Sequence, residues 1–157
     1  MLNSHAPRWE ELRATSLLPT KDVLAKLDLA TISKLLQRPM PGDAGELMRW
    51  LVDENMVVPD WNGYYITNLG GIAAARELNE FSELRRKSMR VIRYRGANKV
   101  DTTDELVGHE GYAVGFEGLI GYLKRVLPHS EVIQQSLREQ VSLYPEIALR
   151  ELIANAL

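Results

Sequence analysis

The chain has 157 residues, 45% hydrophobic and 25% charged, with a net charge of −2 and no cysteine. This gives room for one full domain or two small ones around a core, and excludes disulfides, thiolate metal sites and a cysteine nucleophile. No apolar run approaches a membrane span and no signal peptide is visible, so a cytoplasmic protein is expected, without a surface that coats nucleic acid generally.

Residues 1–16 read as a flexible lead-in, disordered at least over 1–5, with Trp9 structured only if it packs back on the body. Thr20 is placed as the N-cap of a short helix carrying Val23, Leu24 and Leu27. Asp28 restarts the pattern with Ile32, Leu35 and Leu36, and Pro39-Met40-Pro41-Gly42 closes it as a rigid loop. Asp43 and Glu46 have the spacing of a capping box, opening a helix that turns Leu47, Met48, Leu51, Val52 and Met56 inward. Val57-Val58 and residues 64–67 predict a β-hairpin with Asn62-Gly63 at its turn. Thr67 caps the next helix, with Leu69, Ile72, Ala73 and Leu78 apolar. Helices followed by a hairpin predict a winged-helix-like module over residues 17–81.

Winged helices often bind DNA, but the outward positions of the Asp43 helix are Glu46, Arg49, Asp53, Glu54 and Asn55. Three carboxylates against one arginine repel a phosphate backbone, and Asp60 at the hairpin tip adds to this. A packing or protein-contact role fits that module better.

The second half changes character. Residues 85–99 carry seven basic side chains and no acid: Arg85, Arg86, Lys87, Arg90, Arg93, Arg95 and Lys99. Met89, Val91, Ile92 and Tyr94 predict a strand in the middle, ended by Gly96-Ala97-Asn98. Such a strand can contact DNA phosphates weakly, non-specifically and in a salt-sensitive way. It can also be an edge strand kept soluble by charge, or pair with the acidic run Asp101, Asp104, Glu105 and Glu110; the scaffold reading is placed first. That acidic run with His109 lacks metal-loop spacing, so no metal is expected. Nothing suggests catalysis at His5 or His129, and no Ser/His/Asp set assembles from spacing.

Gly108, Gly111, Gly115, Gly118 and Gly121 match neither a dinucleotide nor a P-loop spacing. Phe116, Leu119, Ile120, Leu123 and Val126/Leu127 instead predict an amphipathic helix on which Gly118 and Gly121 permit close packing, with Pro128 ending it. Residues 131–143 alternate loosely and predict one or two short strands. Tyr144-Pro145-Glu146 opens a last helix, with Pro145 at its first position and Glu146 at the positive end of the dipole. Leu149, Leu152, Ile153 and Ala156 form its stripe, and Glu151 and Asn155 lie one turn apart beside it. No stop signal follows, so this helix is expected to continue past Leu157.

Glu151, Asn155 and Ala156 match the first motif of the GHKL-type ATPase fold. With YYITNLGGIAAAREL, RKSMRVIRYRGANKV, GYAVGFEGLIGYL and YPEIALRELIANAL in this order, the chain over 17–157 resembles the bacterial RecG-related ATP-dependent DNA helicases and transcriptional regulators. There this region lies between a Schlafen/AlbA-type domain and the ATPase-like domain. The resemblance implies an α+β chain: the winged-helix-like module, then residues 82–157 as the α/β start of a truncated GHKL-like domain. It also implies ATP and Mg²⁺ as cofactors of the parent protein, with Glu151 acting on the attacking water and Asn155 on the Mg-nucleotide. The parent would be an ATPase or helicase, hence a hydrolase, while this fragment would serve as an inactive connector beside the parent's other domains. The alternative is a non-catalytic interaction scaffold linking an upstream nucleic-acid domain to a downstream ATPase.

Overall fold

The structure, a computed structural model, describes residues 6–96, 101–134 and 137–157, with side chains described outside 129–142. The expectations for residues 1–5, for the Ala97-Asn98 turn and for Lys99 lie outside these. The chain is mixed α+β, and its described strands form three separate two-stranded antiparallel sheets. It divides into two compact units, Met1–Gly115 and Phe116–Leu157. Residues just beyond 81 remain with the first unit because Leu84 is buried in the same core as Leu78 and Phe81.

The first unit begins with α1 (Thr20–Lys26), α2 (Leu29–Leu35) and α3 (Ala44–Asp53). Val23, Leu27, Leu29, Ile32, Met48 and Leu51 fill its core. Leu35 and Leu36, expected inside, are exposed. Their place is taken by Leu29 and by Ser33, whose hydroxyl donates to the Arg38 carbonyl at 2.5 Å. Thr20 proves to be the first helical residue, and Pro19 stands at the N-cap without a side-chain bond. Asp28 and Asp43 do cap, accepting from the Thr31 and Glu46 N–H groups at 3.4 and 2.9 Å.

Both α2 and α3 end in a left-handed residue, Gln37 (φ 52°) and Asn55 (φ 58°). The Arg38 and Met56 N–H groups then reach back to Ser33 and Leu51 at 3.1 and 2.9 Å. This arrangement satisfies carbonyls that a helix end otherwise leaves open.

Asp28 supports a first prediction. Its carboxyl is held below the usual value, chiefly by the Thr31 hydroxyl at 2.6 Å. A carboxylate with a depressed folded-state pKa stabilises the fold above its unfolded value of about 3.9 and loses that contribution as pH falls through the folded value. Asp28→Ala is expected to cost about 1 kcal/mol at neutral pH, with the gap to wild type closing below about pH 4. Urea titrations at several pH values measure both; a gap that does not narrow in acid would mean the carboxylate charge is irrelevant.

Next come β1 (Val57–Asp60) and β2 (Gly63–Ile66), paired from Val57↔Ile66 to Asp60↔Gly63. The two-residue turn is therefore Trp61-Asn62, one position earlier than expected, and Gly63 belongs to the strand. Gly63 is needed there because Leu18 pairs with Tyr64 along the hairpin's other edge, and a Cβ on Gly63 would lie 2.6 Å from the Leu18 carbonyl oxygen. The lead-in also lies on the body: the Ala14 N–H donates to Ile66 O at 2.8 Å and the Asn68 amide to Trp9 O at 2.9 Å.

Thr67 caps α4 (Asn68–Ala74), accepting from the Gly70 N–H at 3.0 Å. Leu78 and Phe81 follow in and after a short 3-10 turn, Leu78–Glu80. A second such turn, Arg85–Lys87, leads into β3 (Arg90–Tyr94) and β4 (Thr102–Val107). α5 (Tyr112–Val126) buries Leu119 and Ile120.

In the second unit, β5 (His129–Gln134) and β6 (Leu137–Ser142) are the two short strands expected over 131–143, and α6 (Glu146–Ala154) follows. Among the described residues nothing stands within 4 Å of a Cβ on Gly118, and only an Arg125 guanidinium nitrogen at 3.9 Å approaches Gly121. The close packing expected of these two glycines is not seen among the described residues. It occurs instead at Gly70, Gly71 and Gly111.

Candidate nucleic-acid interface

The basic stretch 85–95 is split by its backbone into three groups. The Arg85–Lys87 turn is followed by Ser88, whose hydroxyl donates to the Arg85 carbonyl at 3.1 Å. Arg90 opens β3 and is exposed. Its Nε donates to Glu105 at 2.9 Å, and a second guanidinium nitrogen contacts the same carboxylate. Arg93 stands opposite Asp104, with a bulge between Arg93 and Tyr94, and the Arg95 N–H donates to Asp101 O at 2.8 Å. The pairing with the following acidic run is thus realised at Arg90. Such an exposed pair contributes little to stability but reduces the positive potential of the strand.

Lys87 is also engaged. Its ammonium lies 4.7 Å from the centroid of the Trp9 ring, a cation–π distance, and its carbonyl accepts from the Tyr112 hydroxyl at 2.6 Å. Burial pushes the Tyr112 phenol above its ordinary value, so it remains a neutral donor. Arg85 and Arg86 are exposed, and among the described residues neither has a carboxylate partner. They border a groove of about 420 Å³ with Asn79, Ser88, Arg90, Val107 and His109. Sequence reasoning did not find Asn79 or His109 as neighbours of the arginines, because the fold brings them in from outside the basic run.

The outward face of α3 holds Glu46, Arg49 and Asp53, as expected, and Glu54 is tied to Arg38 at 2.6 Å. At the hairpin tip Trp61 is 90% exposed.

In α6, Glu151 and Asn155 are both exposed, and Asn155 forms the C-cap. Of the expected apolar stripe, Leu149 and Ile153 are half-buried, while Ala156 is exposed and Leu152 is 70% exposed; Ile147, outside that stripe, is 72% exposed. Arg150 turns to the body of its unit. It bonds Glu117 through two nitrogens at 2.7 Å each and Glu146 at 3.1 Å, and Glu146 also takes Lys124 at 2.7 Å. The Arg150 guanidinium holds Glu117 below the usual carboxylate value, and Lys124 followed by Arg150 does so for Glu146. Among the described residues no group of three or more His, Asp or Glu side chains could hold a metal ion. No described helix is long and apolar enough to cross a membrane.

Comparison with protein-family models, with curated proteins and with solved structures finds no match to this chain.

Proposed function

We propose that this chain is a cytoplasmic connector module of a RecG-related ATP-binding helicase or transcriptional regulator. It associates weakly with DNA through the basic segment 85–95 and has no catalytic activity of its own. Support comes from Arg85 and Arg86, exposed and without a carboxylate partner among the described residues. The order of α1 to α3, the β1–β2 hairpin and α4 supports a winged-helix-like first part, and the acidic outer face of α3 argues against groove entry by that helix. Titrating a DNA duplex at two salt concentrations tests this. Affinity should fall steeply with salt and be the same for unrelated sequences. Sequence-selective binding, or loss with Arg49→Ala but not with the arginines of 85–95, would overturn it.

The resemblance of α6 to the first GHKL motif carries the nucleotide part of the reading. ATP should produce no saturable chemical-shift changes at low micromolar concentration in this chain, because only one nucleotide-contacting motif is present and no glycine-rich phosphate loop accompanies it. Bound at that site in the parent protein, Mg-ATP would supply the scissile phosphate anhydride. The exposed Glu151 carboxylate would orient or deprotonate the attacking water, and the Asn155 amide oxygen would be a hard ligand for Mg²⁺. In the parent, Glu151→Ala should retain nucleotide binding and lose turnover, while Asn155→Ala should weaken Mg²⁺-dependent binding itself. Unchanged turnover in both would remove the assignment.

A second reading, a protein-interaction scaffold, is favoured by the uncovered Ile147 and Leu152 side chains of α6.

A further inference from the structure

We infer that the groove between the Arg85–Lys87 turn and the β3–β4 hairpin is a discrete phosphate-binding site, built from Arg85, Arg86 and Arg90 with Asn79, Ser88 and His109 around them. This deepens the DNA-association reading but does not depend on it, since the ligand chemistry is that of a phosphate group rather than of a duplex.

Three arginines line one concavity and no carboxylate is among its lining residues; Arg85 and Arg86 bring the unpaired charge, because the Arg90 guanidinium is bonded to Glu105. Guanidinium is the side chain best suited to such a ligand: it is always charged, and its planar fork donates two parallel bonds to adjacent phosphate oxygens. Asn79 adds a neutral amide donor of the kind that completes the shell of a tetrahedral oxyanion, while the Ser88 hydroxyl, which donates to the Arg85 carbonyl, helps to fix the turn. The partners are separated in function as well as in sequence. Arg90 is already oriented by Glu105, which fixes one wall. Arg85 and Arg86 sit on a short turn anchored by the Arg85 N–H bond to the Phe81 carbonyl at 3.0 Å, and they bring charge not neutralised by any described carboxylate. Arg93 and Arg95 are not among the lining residues, and Lys87 is occupied by Trp9. Of the six described basic residues of the segment, Arg85, Arg86 and Arg90 are thus the ones that line the groove. A groove of about 420 Å³ accommodates a phosphate with part of the group it esterifies, so either a nucleic-acid backbone phosphate or a free phosphate compound could occupy it.

The test uses the intact chain and two probes, inorganic pyrophosphate and a single-stranded oligonucleotide, each followed by amide and arginine side-chain NMR shifts. Arg85→Ala/Arg86→Ala is compared with Arg93→Ala/Arg95→Ala and with Lys21→Ala, an exposed charge on α1. The expected result is saturable pyrophosphate shifts at residues 79–90 and 105–109, abolished by the first double variant and retained in the other two. For the oligonucleotide, the slope of log affinity against log salt should fall by about one for each groove arginine removed. Pyrophosphate binding without oligonucleotide binding supports the groove while ending the DNA reading. Oligonucleotide binding that depends on Arg93 and Arg95 alone, with no pyrophosphate shifts in the groove, overturns the groove and leaves the DNA reading standing. No binding of either probe overturns both.

Discussion

Gly70→Ala is expected to destabilise the first unit by about 3 kcal/mol, although alanine in place of a helical glycine normally gains about 1 kcal/mol. The sign reverses because α4 crosses the start of β1 at this residue. A Cβ there would meet the Met56 carbonyl oxygen inside contact distance, and the Met56 carbonyl carbon and Cα at 3.0 and 3.1 Å. Those atoms cannot retreat easily. The Met56 carbonyl accepts the Thr67 N–H at 3.0 Å, and the buried Thr67 hydroxyl lies 2.8 Å from the Asn55 carbonyl and 3.1 Å from that of Met56. Displacing the strand would strip partners from buried polar groups, each costing about 1–3 kcal/mol. Gly118→Ala in α5 is the matched control, since no described atom lies within 4 Å of its added methyl; it should gain about 0.5–1 kcal/mol. Urea denaturation distinguishes them. Trp9, Trp50 and Trp61 all lie in the first unit, so fluorescence reports its unfolding, and far-UV circular dichroism reports the rest. A Gly70→Ala protein as stable as wild type would refute the close crossing.

The two glycine substitutions show where the sequence was readable and where it was not. Local signals held in part: Asp43 and Thr67 cap their helices and Val57 to Ile66 form a hairpin, because capping and alternation depend on residues a few positions apart, whereas Thr20, expected to cap, is already helical behind Pro19. The hairpin turn was placed one residue late because Asn-Gly is a strong local turn signal. Here Gly63 is required by Leu18, forty-five positions away by number, and no local rule contains that contact. The same holds for Gly70 and Gly71, whose need for a bare backbone comes from Met56, Phe81 and Leu84. Conversely, Gly118 and Gly121 carried helix-packing spacing without a neighbour to pack on among the described residues. In the candidate site, the basic run was legible as charge. Its division into groove, Trp9-bound and distal parts depended on strand register and on Asn79 and His109 arriving from other elements. Arg150 is a further case. Nothing in its neighbours along the chain identifies its partner Glu117, which lies thirty-three positions earlier, on α5.

Phe81→Ala is expected to be the most damaging substitution of a single core side chain, at about 3–5 kcal/mol. Phe81 is 1% exposed and is the largest fully buried side chain among the described residues. Its ring lies over Gly71, where a Cβ would come within 3.2 and 3.3 Å of two ring carbons. Truncation therefore opens a void beside a residue that has no side chain to swing into it. The cost rises with the volume that cannot collapse, which favours the upper part of the range. Lys26, 5.9 Å above the ring centroid and paired with Glu80, loses its aromatic neighbour as well. Phe81→Leu keeps most of the volume and should cost less than about 1.5 kcal/mol. The substitution also acts on the proposed groove, because the Phe81 carbonyl takes the N–H groups of both Leu84 and Arg85 at 3.0 Å. With the ring gone, the turn bearing Arg85 and Arg86 loses its fixed base. Pyrophosphate shifts in folded Phe81→Ala protein should weaken, while those in Phe81→Leu should persist. Urea midpoints for the two variants measure the first effect and NMR titration the second. A cost below about 1 kcal/mol for the alanine variant would show that the site collapses freely and that Phe81 does not hold this core together.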